Sequence, residues 1–287
     1  SDVCSSDLRI PNRETLGSGG GGFRIGGFFF WDDKIIASIY NFYDPGFSAQ
    51  RSHVVLGSPD FATASVSPLA EVGDLNPGYY AGRMGKIPAE WQGDLGGTHF
   101  TGQCCIAIAT RTSQGPAAFA FNPEDLNAVS QAPAIPLIYY PLSDKLGDVA
   151  GRSVWNIVTN TESAVMVRGS NSFLVFRTHG DNVCYGSAAD CNDLCGGNKG
   201  YHAYPYEFRM SAWKLSDLAS VRSGAKQPWE ITPYHTSAMT LPLPHSCRPS
   251  VVVTYDIDGN RLFVIHRGAG PNNAPIVHVY EIGRAHV

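Results

Sequence analysis

Three short runs carry side chains fit to grip a negatively charged molecule: Arg111-Thr112, Arg177-Thr178-His179 and His266-Arg267. Guanidinium groups are planar forks that hold carboxylate, sulfate or phosphate through two parallel hydrogen bonds. Tyr43-Asp44 takes a matching place near the start of the chain. The segment after His179 returns through His202-Ala203-Tyr204-Pro205-Tyr206. Tyrosines present a flat apolar face with a polar edge, which suits a sugar ring. The expectation is that Arg111, Thr112, Arg177, His179, His202, Tyr204, His266, Arg267, Tyr43 and Asp44 face one ligand. An acidic saccharide or a peptide terminus fits that set. Converging cations without matched carboxylates repel one another, and an anionic ligand relieves the repulsion. The competing reading is structural: arginines at strand ends pair with neighbouring carboxylates, and HAYPY forms a packed corner.

Two kinds of catalysis remain open beside binding. A glycoside hydrolase needs two facing carboxylates, about 5–5.5 Å apart if retaining and about 6.5–9.5 Å if inverting. Asp44, Asp148 and Asp181 are available, but nothing in their neighbourhoods marks them. A polysaccharide lyase would draw its base from His179 or His202 and use arginine to neutralise the uronate. Other motifs fall away. The run from Gly17 to Gly22 formally fits G-x-G-x-x-G, but it leads into a strand-like run and no P-loop lysine follows. Neither a G-x-S-x-G elbow nor H-E-x-x-H occurs. The stretch from Asp256 to Asn260 lacks the distal glutamate of a calcium loop and suits a hairpin turn. Cys191 and Cys195 are one residue too far apart for C-x-x-C, and no H-x-H partner follows. No metal and no cofactor are expected.

The elements that must position these residues are mostly strands. Phe28–Trp31, Lys34–Tyr40, Cys105–Ala109, Ala117–Phe121, Ser172–Phe176, Glu207–Trp213, Val251–Tyr255, Arg261–Ile265 and Pro275–Tyr280 are short, apolar and bounded by turn residues. Trp31–Lys34 and Asp256–Asn260 read as hairpin turns, since Asp, Asn and Gly tolerate the backbone angles required. Helices are expected only at Pro88–Gln92 and at Ser216–Arg222, with Ser216 as N-cap. Trp31, Trp91, Trp155, Trp213 and Trp229 are expected in the core.

Repeats choose among the all-β architectures. CIAIATRTSQGPAAFAFNPEDL and SFLVFRTHG…YEFRMSAWKLSDL share a strand, Arg-Thr-Ser or Arg-Thr-His, a polar loop, a second strand and a closing Asp-Leu. RLFVIHRGAG…APIVHVYEI repeats the first half, and KIIASIYNFYD is a looser copy. Taking Tyr40, Arg111, Arg177 and His266 as equivalent gives spacings well beyond the ~40–45 residues of a WD40 blade. Long loops between strands would account for the difference. The hairpin YDIDGNRLFVIHRG with PIVHVYEI resembles blades of β-propellers from secreted bacterial proteins. The IPAEWQ, RTS-GPA and HAYPY segments resemble those of uncharacterised secreted proteins. The resemblance implies an all-β fold, a β-propeller of about four blade-like units in a ring that is incomplete. It implies no chemistry. In such a fold the loops between second and third strands emerge on the ligand face.

The ends of the chain need a separate reading. SDVCSSDL and IGRAHV resemble the two strands of one sequencing-library adapter, translated in frame. Residues 1–8 and 282–287 are therefore expected to pack against nothing, leaving 9–281 as a single truncated propeller domain. Setting Cys4 aside leaves six cysteines: Cys104, Cys105, Cys184, Cys191, Cys195 and Cys247. An even set in a chain rich in Gly, Pro and aromatics favours disulfides and an oxidising, extracellular or periplasmic location. Cys184 is expected to pair with Cys191 or Cys195. The formal net charge is −4 with no basic run, which argues against nucleic acid as a partner. No apolar stretch reaches the ~18 residues of a membrane span. Three functions stay open: a secreted module binding an extracellular glycan or other anion, a propeller hydrolase or lyase, and a purely structural interaction domain.

Overall fold

The computed structural model describes residues 11, 13–17, 22–58, 60, 64–107, 112–127, 129–183, 202–241 and 249–282. Alternating apolar residues between tight turns give antiparallel meanders. β1 (Phe23–Trp31), β2 (Lys34–Asn41) and β3 (His53–Leu56) form the first sheet, in that order. The β1–β2 turn uses Asp32 at φ 52°, the left-handed geometry anticipated for this turn. β4 (Glu71–Val72) leads to the second sheet, built from β5 (Met84–Lys86), β6 (His99–Thr101), β7 (Ala118–Phe121) and, after β8 (Gln131–Ala132), β9 (Ile135–Ile138). β8 pairs in parallel with β4, which ties the first two sheets together. A small hairpin of β10 (Asp148–Val149) and β11 (Arg152–Ser153) precedes the third sheet. That sheet runs β12 (Asn160–Met166), β13 (Ser172–Gly180), β14 (Tyr206–Lys214), β15 (His235–Ala238). β16 (Val251–Asp256), β17 (Arg261–His266) and β18 (Ile276–Glu281) make the fourth.

The first strands of successive sheets, β1, β5, β12 and β16, pack side by side. Four meanders joined through their first strands form a radial array, so the fold is a β-propeller and the sheets are its blades. The main cores lie between neighbouring blades. Ile36, Val55, Tyr80 and Phe119 fill the gap between the first and second. Phe100, Leu137, Phe173, Val175 and Trp213 fill the next. Val165, Phe176, Phe208, Val253 and Val264 fill the last. On the outward face of the first blade Leu16 and Leu69 cover Ile35, Ala37, Val54 and Leu56, and only Phe28 (59%) and Phe30 (69%) of β1 stand exposed beside them. On the last blade Val277 (50%) and Val279 (53%) of β18 are exposed. Trp155 and Trp213 are buried, while Trp31, Trp91 and Trp229 pack partly buried against the cores.

Several expectations need correction. Cys105 to Ala107 is not strand; Cys104 and Cys105 are disulfide-bonded to each other. A bond between adjacent residues holds both side chains on one side, which strand alternation forbids. The second strand of that blade is β6, so the residue equivalent to Tyr40 and His266 lies near Thr101. Arg111 itself lies outside the described residues. The two helices form at the expected places, α1 (Ala89–Leu95) and α2 (Leu215–Arg222), but Ser216 is not the cap. Asn171, from the β12–β13 turn, accepts the Ser216 backbone N–H at 2.8 Å and so caps α2 from outside its own segment. Ile282 does not stand apart as expected. Its N–H donates to the Asn260 carbonyl at 3.0 Å, and its side chain packs on the core between the last two blades. Residues 1–8 and 283–287 lie outside the described residues.

Candidate functional site

Two glycines let the backbones of the first two blades meet at the start of β1. A Cβ on Gly26 would lie 1.8 Å from the Ala81 carbonyl oxygen, and one on Gly82 would lie 1.6 Å from that of Gln103. Neither position has room for any side chain. Ser38 Oγ donates to the Gly82 carbonyl at 2.7 Å and the Gly82 N–H donates to Gly102 at 2.8 Å, which holds the three segments together. This close approach brings Arg24 on β1, Arg83 just before β5, and the Cys104–Cys105 disulfide to one end of the inner strands. Tyr40, the cross-strand partner of Arg24, packs half-buried against the disulfide and Ala81.

The third blade supplies the counter-charge. Glu162 is buried on β12, with Oε2 3.9 Å from Arg83 Nη2. Its Oε1 accepts from Asn160 Nδ2 and Thr178 Oγ1, both at 2.9 Å. Burial lowers the Arg83 pKa, the Glu162 and Tyr40 charges oppose that shift, and Arg267 of the fourth blade adds to it. Burial raises the Tyr40 pKa, and the neighbouring Arg83 and Arg24 temper it. Tyr40 therefore stays a protonated donor at neutral pH. Arg24 and Arg83 thus lie within electrostatic reach of the Tyr40 phenol, Arg83 also faces Glu162, and Arg267 lies within reach of Arg83. Arg24 also lies 5.6 Å above the Phe42 ring.

Only part of the expected set is here. Arg267 is exposed at this end, and Tyr43 is exposed in the loop after β2. Arg177 and His179 are fully buried, so neither can touch a saccharide. Both alternate with Phe173 and Val175 along β13 and share their inward face. Burial, with Arg209 and Arg177 nearby, drives the His179 pKa down to about 3. Its Nδ1 lies 2.9 Å from Thr159 Oγ1. Thr112 and His266 are buried as well. Asp44 is buried and occupied: it accepts from Ser48 N–H and Ser48 Oγ on one oxygen and from Ala49 N–H on the other. His202 and Tyr204 are half-buried in a corner packed by Ala203, Tyr206 and Val158, the structural alternative for HAYPY. Arg111, Cys184, Cys191, Cys195 and Cys247 lie outside the described residues, so Cys104–Cys105 is the one disulfide among the described residues.

Sequence reasoning missed Arg24, Arg83 and Glu162 because it looked to the ends of second strands. These residues sit on or beside first strands. The available signal was the glycine next to arginine, Gly82-Arg83, and an unexplained acid inside a strand, Glu162.

No family model matches the chain, and a search of curated proteins finds no match. Among solved structures, an α-L-arabinanase mutant from Cellvibrio cellulosa superposes with a TM-score of 0.48 at 8% identity, over 95% of this chain and 78% of that one. The fold follows from the sheet order alone, independently of that likeness.

Proposed function

We propose that this chain is an extracellular or periplasmic propeller module that binds an anionic ligand, an acidic saccharide foremost, at the axial end marked by Arg83. The observation that carries this reading is Arg83 set 3.9 Å from Glu162, with Arg24 in electrostatic reach of Tyr40 and Arg267 in electrostatic reach of Arg83. Glu162 accepts from Asn160 and Thr178 on one oxygen, which fixes the other beside Arg83 and leaves Arg24 and Arg267 without a carboxylate ion pair among the described residues. A uronate carboxylate supplies the missing negative charge through a guanidinium fork. Tyr40 and the exposed Tyr43 offer a hydrogen bond and a flat face to its ring. The Cys104–Cys105 disulfide fits an oxidising compartment. The exposed Val277 and Val279 of the last blade, with Phe28 and Phe30 of β1, support a ring that takes at least one further blade.

Binding fits these residues better than either catalytic alternative. Asp44 is held by Ser48 and Ala49, Asp181 is paired with Arg209 at 3.2 Å, and Asp148 is exposed on the outlying β10–β11 hairpin. A lyase base works best with a pKa near the operating pH. His179, at about 3 and fully buried, does not meet that need.

Isothermal titration with a galacturonic acid oligomer tests the reading. Arg83→Gln should weaken binding about ten- to hundredfold, the worth of one charge-assisted hydrogen bond. The uncharged galactose oligomer should not bind. Equal affinity for the two oligomers, or an unaffected Arg83→Gln variant, would overturn the proposal.

A further inference from the structure

Between the second and third blades lies a cation that the axial site does not use. Arg177 is fully buried, and its one hydrogen bond runs from Nη1 to Ser211 Oγ at 2.6 Å. Its Nε and Nη2 have no hydrogen-bond partner among the described residues. The cross-strand neighbour is another arginine, Arg209, which is itself occupied by Glu207, Asp181 and the Ser153 carbonyl. Arg209 therefore adds like charge and gives no relief. Burial and Arg209 together pull the Arg177 pKa down to about 9, so the group is still charged at neutral pH.

Other unmatched donors share this layer. Trp155 packs in the same core as Val175 and Trp213, and its buried Nε1–H has no partner among the described residues. Thr112 Oγ1 is likewise buried without a partner among them, one residue from Ser113, whose Oγ accepts the Tyr140 N–H of that core at 2.8 Å. Thr161, directly opposite Arg177 on β12, takes its hydrogen bond from Gln103 of the second blade, at 3.4 Å. Among the described residues no carboxylate forms an ion pair with Arg177; the unpartnered groups of this layer are the Trp155 N–H, the Thr112 hydroxyl, the His179 Nε2 and one acceptor, the Gln103 side-chain oxygen.

We propose that Arg177 holds an enclosed monovalent anion, chloride, between the second and third blades. A spherical anion accepts from several N–H and O–H groups at once and needs no donor in return. Water could fill the hydrogen bonds but would leave the charge uncompensated in a low-dielectric layer. An oligosaccharide is excluded because no part of Arg177 reaches solvent. The site is distinct from the axial one, where the arginines are exposed or half-buried.

Bromide replaces chloride in such sites and scatters anomalously. Crystals of the wild-type chain grown in sodium bromide should show an anomalous peak within hydrogen-bonding range of Arg177 Nε and Nη2. In solution, chloride should raise Tm saturably, by a few degrees, relative to methanesulfonate at the same ionic strength. Arg177→Met should abolish that difference. If the variant does not fold, the wild-type diffraction and salt comparison decide alone. Bromide peaks confined to the surface, with identical Tm values in chloride and methanesulfonate, would overturn the proposal.

Discussion

Lowering the pH from 7 to 5 should destabilise this propeller through three histidines that are neutral in the fold. His53 is fully buried between the first two blades, its ring bridging Ser52 Oγ at 2.8 Å and Thr101 Oγ1 at 3.1 Å, and burial drives its pKa down to about 3. His99 stacks on Phe29 at 4.8 Å and falls to about 4, through burial first and Lys86 second. His179 falls to about 3, through burial first and then Arg209 and Arg177, which together outweigh Asp181, 3.6 Å from its Nε2. An unfolded histidine titrates near 6.5. The folded values are depressed, so the stabilisation is fully present above about pH 6.5 and is lost as the pH falls toward 4 and 3. Over the interval from 7 to 5 the unfolded chain gains nearly one proton at each site while the folded chain gains almost none. That difference is worth about 2 kcal/mol per histidine, or about 6 kcal/mol for the three. Such a loss is comparable to the whole stability of an ordinary domain. Urea unfolding at half-unit pH steps measures it directly. His53→Gln, which can still reach Ser52 and Thr101, should reduce the loss by about a third. A free energy of unfolding that stays flat from pH 7 to 5 would refute the reasoning. So would assigned imidazole resonances of His53, His99 and His179 titrating near 6.5 in the folded protein.

Other substitutions separate close packing from open surface. Gly82→Ala places a methyl group 1.6 Å from the Gln103 carbonyl oxygen and should cost about 3 kcal/mol or more, read by thermal unfolding. Gly93, inside α1, has nothing within 4 Å of its Cβ position, so Gly93→Ala should stabilise by about 0.5–1 kcal/mol in the same assay. Phe30→Lys, at a side chain 69% exposed, should change stability by no more than about 0.5 kcal/mol. It should also reduce self-association in sedimentation experiments, because it breaks an apolar face.

The strands were readable wherever one segment contains its own reason for forming. Lys34–Asn41 alternates between two cores, and Arg261–His266 pairs with Val251–Asp256 across a turn that its own Asp and Asn residues dictate. The α2 cap was not readable, because Asn171 lies far away in the chain and only the folded third blade brings it to Ser216. Nor was the short β5 strand, which carries almost no apolar pattern and exists because β6 and β12 flank it.

The misplacement of Arg177 is the most instructive difference, because the signal against it was local. In SFLVFRTHG, strict alternation puts Arg177 and His179 on the side of Phe173 and Val175, the side that must be buried once a blade packs there. Residue type argued for the surface and period argued for the core, and period won. Arg83 is the converse. Its segment has no usable period, yet the glycine before it marks a place where two backbones touch near the axis. An arginine beside such a contact is held in position by main chain on both sides. It needs no helix or long strand to hold its guanidinium in place, and Glu162, supplied by a different blade, completes its setting.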